Sequence, residues 1–204
     1  MVRTLHPLAS LAGVRPERRR DGVFLPALAQ FPPARWPLVA LLPVLDINGA
    51  LLAACRGRAR LRAGAPVAGV FASDPFLRVA DVAAALAEAG ITEVVNFPTI
   101  QFFGPETSAA LASVGMRAEA EFRMLLRFAE HGMAPIACAV SDDAATIALS
   151  LGLRRILLHP GLGEGPARPW PEQASHVLIE GGEPFAWRDA ADSQLSRPSR
   201  RIRL

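Results

Sequence analysis

The sequence predicts a parallel α/β fold, and three observations predict it. Short apolar runs of four to six residues alternate with stretches of helical periodicity. The segment from Pro66 to Thr99 is a strand, a helix and a second strand, the size of a βαβ unit. Both of its strands end in polar residues followed by proline, Ala72-Ser73-Asp74-Pro75 and Asn96-Phe97-Pro98-Thr99. In parallel α/β folds that carboxyl end is where sites are built.

Taken in order, residues 1 to 21 lack clear periodicity, and Arg15-Pro16-Glu17-Arg18-Arg19-Arg20 reads as a solvated arm. Gly22-Val23-Phe24-Leu25 is the first candidate strand, followed by a loop with Pro32, Pro33 and Pro37 and an apolar run from Leu38 to Leu42. Asn48 is placed to cap a helix from Gly49 to Arg60. Pro66 to Phe71 is too short for a helix and reads as a buried strand. Val79, Val82, Ala83, Leu86 and Ala87 then keep helical spacing until Gly90. Glu93 to Asn96 is the next strand. A loop from Ile100 to Glu106 leads to a short helix, Thr107 to Val114, closed by Gly115.

The most amphipathic helix runs from Glu119 to Glu130, with Phe122, Leu125, Leu126 and Ala129 on one face and Gly132 as its stop. Pro135 to Val140 reads as a strand, Ser141 as the cap of a helix from Asp142 to Leu151, and Arg155 to Leu158 as a strand entering a glycine-rich loop. Then the alternation breaks. Gly165 and His176 are too close for a crossover helix, and Gly181-Gly182 between two apolar runs, His176 to Glu180 and Glu183 to Trp187, reads as a hairpin turn. The expected organisation is therefore an arm (1–21), an α/β core (22–165), a hairpin completing that core (166–189) and a mobile basic tail (190–204).

Composition narrows the chemistry. The 204 residues carry 22 basic side chains, every one an arginine, and no lysine or tyrosine. Schiff-base, pyridoxal-phosphate and P-loop lysine chemistry are excluded. Proton transfer must fall to Asp, Glu, His, Cys or a metal-bound water. Cys55 and Cys138 stand alone and read as reduced core residues. No apolar run reaches the ~18 residues of a membrane span, and the weakly apolar start is not read as a signal peptide. A cytoplasmic protein without nucleic-acid partners is the expectation.

Four motifs point further. Val67 to Phe76 (Val-Ala-Gly-Val-Phe-Ala-Ser-Asp-Pro-Phe), Asn96-Phe97-Pro98-Thr99, Gly115-Met116 with Glu121, and His159-Pro160-Gly161-Leu162 resemble the phosphoenolpyruvate hydrolase-like family of TIM-barrel proteins. Leu41-Leu42-Pro43 with Asp46 and Asn48 is similar to the family's stretch after its second strand, and the resemblance covers roughly residues 22 to 163. Departures are equally specific. The family's glycine-rich first turn has no counterpart, Arg123 stands where its second glutamate would, and Glu180 stands where its seventh strand carries histidine. TIM barrels typically need ~250 residues, so the resemblance implies a reduced TIM-like barrel, its first and last units missing and a hairpin at its end.

The resemblance also implies a site at the strand carboxyl ends for a small phosphorylated or carboxylated oxoacid. Asp74, His159 and Glu121 are the expected catalytic residues, with Asp74 also holding Mg²⁺. Ser73, Asn96, Thr99, Gly161 and Gly163 are the expected substrate contacts. Arg117 and Arg123 could serve an anionic ligand. Each has a plainer alternative: Asp74 as an Asp-Pro turn, Asn96 as a loop-backbone partner, Glu121 as a solvated helix residue, Asp46 and Asn48 as turn and cap. The competing reading of the whole is a degenerate barrel that binds or regulates. Its open sheet edges would be covered by a second copy or a partner chain.

Overall fold

The computed structural model describes residues 3–32, 35–36, 45–159 and 183–187. Among these, seven strands form one closed parallel barrel in chain order: β1 (Arg3–Leu8), β2 (Gly22–Phe24), β3 (Val67–Gly69), β4 (Glu93–Val95), β5 (Ala134–Ala139), β6 (Arg155–Leu158) and β7 (Glu183–Trp187). This is the expected α/β architecture, a reduced TIM-like barrel. Helices α1 (Pro16–Arg20), α2 (Ile47–Cys55), α3 (Val79–Ala89), α4 (Pro105–Ser113), α5 (Ala118–Glu130) and α6 (Asp142–Ser150) lie between the strands. Short 3₁₀ turns at Pro26–Gln30 and Ile100–Phe102 follow β2 and β4.

Alternation along the strands divides the apolar side chains into two layers. Leu5, Val23, Leu25, Val67, Val95, Ile136, Cys138 and Leu157 pack together inside the barrel. Phe24, Ala68, Val70, Val94, Ala137, Ala139 and Ile156 face outward, against Leu86 of α3, Phe122, Leu125 and Phe128 of α5, and Ala145 of α6. The buried face of α5 is Glu121, Phe122, Leu125 and Phe128 rather than one ending in Ala129, which is exposed. The larger Phe128 ring gains more from burial than the alanine methyl, and Glu121 is bonded inward, as described below.

Two expectations are corrected at the barrel's seam. The region expected as an arm contains β1, whose His6, Pro7 and Leu8 are in register with Gly22, Val23 and Phe24. Its proline is tolerated because the ladder passes over it: His6 N–H donates to the Asp21 carbonyl at 3.0 Å and the Leu8 carbonyl accepts from Leu25 N–H at 2.8 Å. Glu183–Trp187 is no hairpin arm. It runs parallel to β6, with Leu157 opposite Phe185, and parallel to β1, with Thr4 opposite Ala186. Closure leaves no open edge there, which removes the sheet-edge argument for a partner chain. The expected features at Leu38 to Leu42, His176 to Glu180 and Gly181-Gly182, and the tail from 190, lie outside the described residues; β2 pairs directly with β3.

Helix boundaries follow their caps. Asp46, not Asn48, caps α2, its carboxylate accepting from Gly49 N–H at 2.7 Å. Ser141 caps α6 as expected, accepting from Ala144 N–H. Gly69 of β3 is buried in close contact with its neighbours. A Cβ there would meet the Leu25 side chain at 2.4 Å and the Phe97 carbonyl oxygen at 2.6 Å. Because backbone cannot step aside as a side chain can, Gly69→Ala is expected to destabilise the fold by about 1–3 kcal/mol, read as a lower urea midpoint at unchanged slope.

Candidate functional site

Beyond the strand carboxyl ends, one buried carboxylate gathers the loops. Glu121 lies in the first turn of α5 on its inner face, with no exposed surface. Its Oε1 accepts from Ser73 Oγ and from Ile100 N–H, both at 3.1 Å. Its Oε2 accepts from Asn96 Nδ2 at 3.1 Å, Gln101 Nε2 at 3.3 Å and the Thr99 hydroxyl. Five donors from the loops after β3 and β4 thus converge on one side chain. Burial raises the carboxyl pKa above its ordinary value, and the bonds from Thr99, Ile100, Asn96 and Gln101 oppose that rise.

Two asparagines do similar work at the rim. Asn96 Oδ1 accepts from Cys138 N–H at 2.7 Å, and its amide faces the Cys138 carbonyl at 3.4 Å. Its side chain so continues the β4–β5 ladder after β4 has ended. Asn48 does the same for β3: Oδ1 accepts from Phe71 N–H and Nδ2 donates to the Phe71 carbonyl, both at 3.0 Å. Asn48 Nδ2 also donates to Asp74 Oδ2 at 2.9 Å, while Asp74 Oδ1 accepts from Phe76 N–H at 2.8 Å. Asp74 is half-buried in that turn.

His159 follows β6 and is 3 % exposed. Its ring stacks on Phe97, with centroids 5.5 Å apart, and meets Phe102 edge-on at 4.6 Å. Burial lowers its pKa to about 3, so the imidazole is neutral at physiological pH. Cys138, deep in the barrel, has its thiol pushed well above the ordinary range by burial and then by the Glu121 charge. That holds it protonated and inert.

Ser73, Asn96, Thr99 and Glu121 are therefore brought together, with Asp74 joined to the same rim through Asn48. His159 sits among aromatic rings at the neighbouring strand end. Gly161 and Gly163 lie outside the described residues. Sequence reasoning missed Gln101, whose amide donates to Thr99 Oγ1 and the Cys138 carbonyl, both at 2.9 Å, and whose oxygen accepts from Val140 N–H at 3.4 Å. Its one sequence signal is its place two residues after Thr99, whose hydroxyl caps the 3₁₀ turn at Gln101 N–H.

Gln101 also borders a cavity of about 350 Å³ at the carboxyl end of β5. Ile100, Leu111, Met116 and Ile147 give it apolar walls, while Ser141, Asp143 and Arg117 supply polar and charged groups. One Arg117 Nη donates to the Ala112 carbonyl at 2.8 Å, engaging one of five guanidinium donors. Asp74 and His159 do not line this cavity. Among the described residues, no group of three or more His, Cys, Asp or Glu side chains could hold a metal, and no helix is long and apolar enough to cross a membrane.

A closed parallel barrel whose βα loops carry the polar groups at the strand carboxyl ends defines a TIM-barrel-like class. Residues 34–173 match the family described as phosphoenolpyruvate hydrolase-like, and the chain belongs to it. It is similar to the uncharacterized protein y4oT of Sinorhizobium fredii, 34% identical over 119 residues, 58% of this chain and 60% of that one. It is also similar to the ToMV resistance protein Tm-1(GCR237) and the ToMV susceptible protein tm-1(GCR26) of Solanum lycopersicum. Each is 31% identical over 129 residues, 63% of this chain and 17% of the tomato protein. The chain thus spans three fifths of the bacterial relative and about a sixth of the tomato ones.

Two predictions follow from the bonding. Glu121→Gln replaces an acceptor by an amide whose N–H groups would confront either Ile100 N–H or Asn96 Nδ2. The expected loss is about 1–3 kcal/mol, the cost of an unmet buried donor, measured by chemical denaturation. His159 titrates lower when folded than unfolded, so the folded state binds fewer protons and stability is lost as pH falls below about 6.5 toward 3. Between pH 7 and 5 the wild type should lose about 2 kcal/mol more than His159→Phe, at 1.36 kcal/mol per unit. Parallel curves for the two proteins would refute that environment for His159.

Proposed function

We propose that the protein acts on a small phosphorylated or carboxylated oxoacid at the carboxyl face of the barrel, as a phosphoenolpyruvate hydrolase-like enzyme. The observation that carries this reading is the cavity lined by Ile100 and Gln101, both hydrogen-bonded to Glu121. Its volume is that of a small-molecule site, and Arg117 brings a guanidinium suited to carboxylate or phosphate oxygens. Gln101 lines the same space and is fixed by Thr99, Glu121 and Cys138. Asp143 at the same cavity disfavours further negative charge and so orients an anionic ligand toward Arg117.

In this reading Glu121 positions rather than reacts, because its two oxygens are bonded and buried. It holds Ser73, Asn96, Thr99 and Gln101 in place before the ligand arrives. His159, neutral at working pH, lies outside the cavity lining and packs against Phe97 and Phe102 at the neighbouring strand end. Asp74 accepts one hydrogen bond at each oxygen and retains lone pairs for a cation. A Mg²⁺ that arrives with a phosphate ligand and keeps its waters needs only one or two protein carboxylates. Asp74, on the same rim but outside the cavity lining, would be the carboxylate to hold such an ion.

A second reading, a barrel that binds without turnover, is favoured by one observation: the polar groups of the Glu121 cluster are satisfied by one another. Thermal-shift titration with phosphoenolpyruvate, phosphonopyruvate and oxaloacetate, with and without Mg²⁺, tests binding, and product release tests turnover. A ligand at 100 times its Kd stabilises by about 2.7 kcal/mol, a rise of several degrees. Arg117→Ala should abolish that rise, and Asp74→Ala should remove only its Mg²⁺-dependent part. A cooperative melt unmoved by all three ligands would overturn both readings for oxoacids; binding without product would leave the second.

A further inference from the structure

We infer that the amino-terminal face of the barrel, opposite the proposed ligand site, is a docking surface for the phosphate backbone of duplex nucleic acid. In the sequence, Arg15-Pro16-Glu17-Arg18-Arg19-Arg20 reads as a solvated arm. Folding adds a second arginine-rich segment to it. Val23 pairs with Val67 in a parallel ladder, so the residues leading into β2 and those leading into β3 emerge at the same barrel end. Residues 16–20 form α1 before β2, and residues 56–62 (Arg-Gly-Arg-Ala-Arg-Leu-Arg) precede β3.

The two segments pack together. Gly64 is buried with φ at +64°, and a Cβ on it would lie 2.2 Å from the Pro16 carbonyl oxygen. Only a glycine lets the second segment approach α1 this closely. Arg15, Arg18, Arg20, Arg56, Arg58, Arg60 and Arg62 are exposed, and Arg19 is half-buried.

The charge is concentrated here. Residues 15–21 and 56–62 hold eight arginines against Glu17 and Asp21, which sums to +6 on 14 residues; the chain sums to +3, so the other 190 residues carry −3. Glu88 stands two residues before Gly90, which the Arg60 side chain approaches, and counting it leaves the face at +5. A field of one sign on one end steers a polyanion toward that end.

The surroundings select the kind of polyanion. Neither segment holds an aromatic residue on which single-strand bases could stack. The described exposed large apolar residues, Phe76, Val114 and Ile147, all lie outside both segments. Without such residues a membrane could be held by charge alone, and the vesicle arm of the test below reads that case. Guanidinium groups without stacking or inserting partners fit phosphates held at the fixed spacing of a duplex, without base readout. Arg58 lies over the Phe24 ring, 6.0 Å from its centroid, and bonds the Ala54 carbonyl, so its role is partly internal.

The test is fluorescence anisotropy of the whole protein with a labelled 20-base-pair duplex, as DNA and as RNA, between 50 and 200 mM salt. Binding should weaken with a log–log slope of about −4, the value for about four phosphates neutralised. Arg56→Gln/Arg60→Gln/Arg62→Gln should weaken binding at least tenfold at 50 mM salt and flatten the slope, with an unchanged melting temperature. It should leave any oxoacid-induced thermal shift unchanged, so failure here is distinct from failure of the proposed function. No binding at 50 mM salt by the folded protein would overturn the inference. So would equal or tighter binding to anionic lipid vesicles, or full retention of duplex binding by the triple variant.

Discussion

The buried carboxylate of Glu121 is the constraint on which the carboxyl face depends. A lone carboxylate taken out of water is costly, and what makes it tolerable is a complete set of donors. Here those donors come from loops far apart in sequence: Ser73 after β3, then Asn96, Thr99, Ile100 and Gln101 after β4. Satisfying one charge fixes all of them, and that arrangement in turn shapes the wall of the cavity where Gln101 and Ile100 appear.

Much of this was legible in the sequence because it lies in periodic or motif-bearing stretches. Pro66 to Thr99 announced β3, α3 and β4, and Asn96, Thr99, Ser73 and Glu121 stood in segments whose resemblance to one family pointed to a shared site. What the residues could not tell was direction of use. A glutamate on a helix surface and one buried with five donors have the same local pattern, and only the packing of α5 against the loop distinguishes them. His159 was expected to move protons; its burial, which keeps the imidazole neutral, depends on packing against Phe97 and Phe102, residues distant in sequence.

The misreadings share a cause. β1 was obscured because its Arg3-Thr4-His6-Pro7 composition resembles no buried strand, and only the ladder to Asp21 and Leu25 makes it one. β7 was given the wrong partner because Gly181-Gly182 suggested antiparallel local pairing, whereas Glu183–Trp187 pairs in parallel with β6 and with β1 at the far end of the sequence. Closure of a barrel is a non-local property, and local pattern favours the nearest partner. Gln101 had only its place two residues after Thr99 to mark it, a signal any 3₁₀ turn would give.

The side-chain rungs made by Asn48 and Asn96 have a consequence for how the barrel breathes. β3 and β4 are only three residues long, yet the amides of Phe71, beyond β3, and of Cys138, past the end of the β4–β5 ladder, are bonded by asparagine oxygens. Exchange of those two amide protons with solvent deuterium is then governed by side-chain rotation rather than by strand separation. The rim can open one residue at a time while the ladder beneath it stays shut, which gives the loops a local freedom that a longer strand would have denied them.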